Sequence, residues 1–264
     1  MFKRVGPDRA KTGPQGGKEG RVFLVTNKHV LGGTPEERER QEAINLGFNE
    51  LNESGAVLGQ ELSINTRSAS GNLLWREHPD EGVDVIAFEL TGLYNLGRKL
   101  SSSLIAEELI LTRAVADSLG VGMGDEVVVF GYPLGWRQGS TFLPMCRAGY
   151  LATKYGDRLI EEAPGTLIQG GAKGPIRGFL IDGLTIFGSS GSPVILRPVA
   201  ASVLPGGRTE IGSRTSAYLL GITSGMVSLR HEDDDGVKRF YPGLGLAFDA
   251  ETVRETIEQF EFES

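Results

Sequence analysis

The chain holds only three histidines, so each can be weighed alone. His29 follows an apolar run in "FLVTNKHVL", His78 lies in the polar "REHPDEG", and His231 lies in the acidic "RHEDDDG". A lone histidine is ordinarily structural, and chain order is what singles one out. Acyl transfer needs a hydroxyl or thiol nucleophile, a base to take its proton, an acid to orient the base, and N–H donors for the developing oxyanion. His29, then Asp84 opening "DVIAFEL", then Ser190 inside "GSSGSPV", supply those types in that order. They are far apart in the chain, so they can meet only across a tertiary cleft.

The segments around these residues resemble the trypsin-like (chymotrypsin-fold) serine peptidases, in particular the bacterial, disulfide-free branch that includes HtrA-like enzymes. "VTNKHV" looks like the histidine motif, "GVDVIAFEL" like the aspartate motif, and "GSSGSPV" like the nucleophile loop. Further matches are "GDEVVVFGYPLG" at 124 to 135, "LLGITSG" at 219 to 225 and "LGLAFDAETVRETI" at 244 to 257. Each motif is weak alone. The ordered set, spread over residues 20 to 258, is specific.

The resemblance implies a serine endopeptidase, a hydrolase working through an acyl-enzyme with a His29, Asp84, Ser190 triad. Ser190 would attack, His29 would act as base and then acid, and Asp84 would fix the imidazole tautomer. The N–H groups of Gly188 and Ser190 would form the oxyanion hole, with glycine at 188 permitting backbone that a Cβ would exclude. Ser189 and Ser192 would be loop formers, and Pro193 would open the next strand, where its missing N–H is tolerated. The strand Gly221, Ile222, Thr223, Ser224 and Gly225 would pair with substrate main chain by strand addition. Leu184 would be the floor of the pocket for the residue before the cut bond (P1), favouring a small or medium apolar side chain there; Asp182 would replace it only in a different loop alignment. No cofactor is implied, and the partner is a polypeptide substrate.

Two departures accompany the likeness. An aspartate that in digestive members precedes the nucleophile is Ser189 here, so activation by a new N-terminus paired to that acid is not expected. The usual Gly-rich first strand is replaced by "MFKRVGP" and a polar Gly/Lys stretch, which leaves either an incomplete first barrel or a fragment. A non-catalytic peptide-binding module on the same fold is the rival reading. An α/β-hydrolase fits worse, because its Gly-x-Ser-x-Gly elbow needs glycine where Ser192 stands.

The elements that must position these residues read as mostly strands: short β-branched or aromatic runs bounded by turn residues. Strands are expected near 22 to 26, 61 to 66, 72 to 75, 84 to 90, 126 to 131, 143 to 152, 178 to 182, 193 to 197, 217 to 226 and 243 to 248. Val253, Ile257 and Phe260 at i, i+4, i+7 predict a terminal helix over 250 to 260. Residues 34 to 43 are either a short helix capped by Thr34 with Pro35 in its first turn or a solvated insertion. Residues 91 to 124 read as the connection between two halves. The expected fold is all-β: two six-stranded-type antiparallel β-barrels, a chymotrypsin-like double barrel. Residues 1–115 would carry His29 and Asp84, and residues 116–264 would carry Ser190 and the C-terminal α-helix.

Composition bounds what else the chain can do. With 264 residues, 38 glycines, 12 prolines and 39% apolar residues it can bury a core and is loop-rich. A net charge of -7 argues against a large phosphate-binding face, so no nucleic acid is expected. Cys146 is alone, so no intrachain disulfide can form. The first twenty residues lack an apolar signal core and no run reaches membrane-span length, so a soluble cytoplasmic protein without membrane contact is expected. Three scattered histidines and one cysteine lack metal-ligand spacing, and "HEDDDG" at 231 to 236 lacks the calcium-loop pattern and reads as a solvated hairpin tip.

Overall fold

A computed structural model of the chain describes residues 2–4, 20–95, 100, 104–137, 139–156, 166–169, 176–183, 188–203, 209–233 and 236–260. Its strands are β1 (Phe2–Arg4), β2 (Arg21–Thr26), β3 (Ala43–Leu51), β4 (Val57–Asn65), β5 (Trp75–Glu77), β6 (Ile86–Glu89), β7 (Ile105–Ala106), β8 (Glu126–Gly131) and β9 (Met145–Leu151). They continue with β10 (Thr166–Gln169), β11 (Gly178–Asp182), β12 (Pro193–Leu196), β13 (Val199–Val203), β14 (Thr209–Arg214), β15 (Leu219–Asp233), β16 (Gly236–Phe240) and β17 (Leu244–Asp249). The α-helices are α1 (Lys28–Leu31), α2 (Pro35–Arg40), α3 (Thr91–Asn95), α4 (Arg113–Ser118) and α5 (Ala250–Glu258).

In the C-terminal half, β12, β8, β9, β11, β17 and β15 pair in sequence, and β15 also pairs with β12, closing a six-stranded antiparallel barrel. Closure removes the open edges that a sheet of this size would otherwise expose. Period-two alternation drives it: Val127, Leu151, Phe179, Ile181, Val194, Leu196, Leu220 and Ala247 all point into one buried cluster.

The N-terminal half is different. It is a five-stranded sheet in the order β5-β6-β2-β1-β7 with a separate β3–β4 hairpin, and among the described residues this half closes no second barrel. The "MFKRV" segment does supply a strand, β1, which pairs antiparallel with β2. Both faces of this sheet are covered, and the sequence shows why. Phe23, Val25, Val85 and Ala87 pack with Leu219, Ile222, Leu246 and Phe248 of the barrel, while the intervening Ile86 and Phe88 pack with Trp75, Leu31 and the hairpin residues Ile44, Leu46 and Ile64. The stretches Val22–Val25 of β2 and Ile86–Phe88 of β6 are apolar throughout because each face has its own partner.

Helix α5 seals the seam between the halves. Val253, Ile257 and Phe260 sit in the first of these clusters, and each buried side chain of this size contributes roughly 1.5–3 kcal/mol. Asp249 caps the helix by accepting the Thr252 N–H at 3.0 Å. Residues 35–40 form the short helix of the two alternatives, with Pro35 in the first turn and a reciprocal Thr34–Glu37 capping box. Residues 91 to 124 are more than a connection, holding α3, β7 and α4, the last capped by Thr112. Of the "HEDDDG" stretch, His231, Glu232 and Asp233 end β15 and Gly236 opens β16, while Asp234 and Asp235 lie outside the described residues.

Candidate functional site

β2 ends at Thr26, and the next residues turn into the single helical turn α1, which presents His29. Asn27, at the N-cap, makes no side-chain capping bond; its amide instead donates to the Asp84 carbonyl at 2.7 Å. That bond ties the histidine turn to the residue that enters β6. Asp84 itself lies just before β6 and is 2% exposed, whereas the His29 side chain is 28% exposed. The acid is hidden and the imidazole is reachable from solvent.

Two bonds join them: the His29 N–H donates to Asp84 Oδ1 at 3.0 Å, and His29 Nδ1 donates to Oδ2 at 2.5 Å. Ser224 Oγ donates to the same Oδ2 at 2.8 Å. An ionised carboxylate only accepts hydrogen bonds, so the ring proton belongs on Nδ1 and the Nε2 lone pair is free. Ser190 Oγ stands 2.9 Å from Nε2, placed to donate to it. The structure thus brings His29, Asp84 and Ser190 into one hydrogen-bonded chain. Ser224, expected on the substrate strand, is bonded to Asp84 as well, a contact that nothing in the local sequence marks.

The Ser190 loop is shaped by two glycines with positive φ, Gly188 (86°) and Gly191 (77°). A Cβ at 188 would lie 2.7 Å from the Tyr132 carbonyl and 2.8 Å from the Leu134 nitrogen. The loop is stitched to β15: the Gly191 N–H donates to the Thr223 carbonyl at 2.8 Å, and the Thr223 N–H to the Ser192 carbonyl at 2.9 Å. Thr223 Oγ1 also donates to the Ser189 carbonyl. Ser189 and Ser192 are buried, leaving Ser190 as the hydroxyl of the loop at His29. Among the described residues nothing accepts from the N–H of Gly188 or of Ser190.

A buried lysine supports the acid. Lys28 Nζ donates to the carbonyls of His78 (3.1 Å) and Asp80 (3.3 Å) and lies 3.8 Å from Glu77. Burial lowers its pKa, opposed chiefly by the Glu77 charge. His78 Nδ1 accepts the Asp80 N–H at 3.0 Å and Nε2 meets Glu255 at 2.8 Å. Glu255 in turn receives both terminal nitrogens of Arg177, which hold its carboxyl down at about 2. The loop leading to Asp84 is therefore anchored both to the residue before His29 and to α5.

The strand assigned to substrate is only partly open. Gly221 and Ile222 pair on one edge with β12 and on the other with β17, and Thr223 bonds the Ser190 loop. Ser224 and Gly225 are the first residues of β15 beyond that loop, and the Ser224 carbonyl lies 3.4 Å from Ser190 Oγ. Leu184 lies outside the described residues. Asp182, the alternative to it, is exposed at the end of β11. No group of three or more histidine, cysteine, aspartate or glutamate side chains suited to a metal occurs among the described residues, and no described helix is long and apolar enough to cross a membrane.

Compared with known proteins, the chain matches no family model and no curated protein.

Proposed function

We propose that the protein is a serine endopeptidase of the trypsin-like kind, hydrolysing peptide bonds through an acyl-enzyme. The observation that carries this reading is the continuous chain Ser190 Oγ, His29, Asp84, with 2.9 and 2.5 Å contacts on the two sides of one imidazole. Ser190 attacks the scissile carbonyl carbon while its proton passes to Nε2. The resulting imidazolium is stabilised by the buried Asp84, then gives the proton to the leaving amine. Water repeats the sequence to release the acid. The N–H groups of Gly188 and Ser190 serve the oxyanion, which agrees with their lack of an internal acceptor among the described residues.

On this reading the closed barrel is the second of a chymotrypsin-like pair, and the five-stranded sheet with its hairpin is a reduced counterpart of the first. The P1 pocket takes a small or medium apolar residue. The decisive experiment is incubation with a fluorophosphonate, followed by intact mass and mapping of the modified peptide. Wild type, Ser189→Ala and Ser192→Ala are expected to gain one adduct on the Ser190 peptide, and Ser190→Ala none. An unmodified wild type would favour the non-catalytic peptide-binding module instead.

A further inference from the structure

β15 is fifteen residues long, far longer than the barrel needs, and its two edges are used differently along its length. One edge carries β17 and then β16, from Gly221↔Asp249 to Asp233↔Gly236. The other carries β12 as far as Ile222↔Pro193, then the bonds of the Ser190 loop to Thr223. Farther on it carries β10, from Met226↔Gln169 to Leu229↔Thr166. Met226 pairs with both Gly245 and Gln169, which puts β10 on the edge opposite β17 and therefore on the same edge as β12 and Ser190. Among the described residues, two residues of that edge, Ser224 and Gly225, lie between the Ser190 loop and β10 without a strand partner there.

Those two residues are where a substrate strand must begin, since the Ser224 carbonyl is 3.4 Å from Ser190 Oγ. A peptide adding in the antiparallel sense, the sense of every pairing in the barrel, runs toward Ser190 with the residues before the cut bond lying along Ser224 and Gly225. β10 is antiparallel to β15 as well, so it runs in the same direction on the same line. The place of the third and later upstream substrate residues is thus held by the protein's own Thr166–Gln169. At about 3.3 Å per residue, an open edge of two residues leaves no room for more strand pairing.

We infer that β10 caps the upstream side of the cleft, so that the enzyme pairs with only the two residues before the cut bond and takes peptides whose chain ends or turns away at the third. This rests on the peptidase reading above. Selectivity then resides in the first two upstream positions, and lengthening a substrate beyond them adds no binding energy to spend on the reaction.

A mixed peptide library read by mass spectrometry tests the inference, followed by a nested set built on the selected sequence with one to five residues before the cut bond. The expected result is preference at the first two upstream positions only, and kcat/KM that rises from one residue to two and then changes less than about twofold. A further rise of about tenfold between two and five residues would overturn the cap. In an antiparallel strand, adjacent residues direct their N–H groups to opposite edges, so the double variant Leu167→Pro, Ile168→Pro must remove a bond to β15. β10 stands outside the closed six-strand ring, so the barrel does not depend on it. The double variant is expected to gain length dependence at the third and fourth positions; an unchanged profile would count against the cap. Absence of any cleavage by the wild type would overturn the peptidase reading itself, a result separate from a long-substrate preference.

Discussion

Ser224 Oγ and His29 Nδ1 meet on one oxygen, Asp84 Oδ2, from opposite halves of the molecule, at 2.8 and 2.5 Å. The Asp84 carboxylate is therefore oriented by the barrel as well as by the sheet that carries it. Removing the hydroxyl leaves Asp84 its two bonds to His29 but takes away one of three donors. Ser224→Ala is expected to keep the fold and lower kcat by roughly tenfold with KM little changed, since a charge-assisted hydrogen bond contributes about 1.5–3 kcal/mol at most. Equal kcat in the variant would show that the sheet alone positions the acid.

Asp84→Asn tests the tautomer. An amide can present its NH₂ to Nδ1, which then accepts, so the ring proton moves to Nε2 and blocks the base. A loss of about 10⁴ in kcat is expected with thermal stability largely retained. Full activity would remove Asp84 from the triad.

The barrel was legible because its strands bury alternate residues of strongly β-forming runs such as "EVVVFG" and "GFLID", and their bounds match at 126–131 and 178–182. β3, "AINLGFNEL", escaped because Gly47 and two asparagines interrupt its pattern, and because the hairpin lies mostly in solvent. Gly47 is there for Phe142, whose ring occupies the space of a Cβ, with Asn49 bonding the Phe142 backbone at 2.7 and 2.9 Å. Nothing local in either segment announces that contact. The order His29, Asp84, Ser190 was visible in the chain, but the Ser224 bond depends on where β15 crosses the seam. The occupied edges of Gly221 and Ile222 likewise follow from closure of the barrel, which no window of sequence contains.

Asp249 is a buried helix cap whose burial raises its pKa to about 6 from an ordinary 3.8. A carboxyl with a folded pKa above its unfolded value binds protons more tightly when folded, so its contribution favours folding at low pH and is lost as pH rises from about 4 to 6. Asp249→Asn keeps an acceptor for the Thr252 N–H without the charge. It is expected to flatten that part of the stability profile and match or exceed wild type at pH 8, whereas Asp249→Ala loses about 1 kcal/mol. Urea midpoints at pH 4, 6 and 8 check both; a wild-type profile that rises through this window would contradict the sign.

Glu255 behaves in the opposite sense. Arg177, bonded to both its oxygens, and His78 hold its carboxyl at about 2 against an ordinary 4.5, so the stabilisation is complete above about 4.5 and is lost as pH falls toward 2. Because this cluster anchors the loop before Asp84 to α5, acid should loosen the site as well as the helix. Glu255→Gln is expected to remove the acid-side slope between about pH 4.5 and 2 and to lower the midpoint at neutral pH. Near-identical profiles for the variant and wild type would mean that the cluster contributes nothing measurable.

Gly188 is the position where backbone geometry and chemistry coincide most closely. Its φ of 86° is one that a side chain disfavours, and a Cβ there would sit 2.7 Å from the Tyr132 carbonyl and 2.8 Å from the Leu134 nitrogen. Both contacts are backbone, in a turn where Leu134 already holds a positive φ of 55°, so neither can swing aside as a side-chain tip would. Gly188→Ala must therefore shift the peptide that carries the first of the two proposed oxyanion donors, while Ser190 remains tied through Gly191 and Ser192 to β15. Loss of one such donor costs roughly 10²–10³ in kcat, so phosphonylation and peptide cleavage should both slow by that order while KM changes little. Gly191→Ala provides the contrast: its Cβ would meet Thr26 at the end of β2, so it should disturb the contact between sheet and loop and lower stability as well as rate. Wild-type rates in Gly188→Ala would place the oxyanion donors elsewhere in the loop.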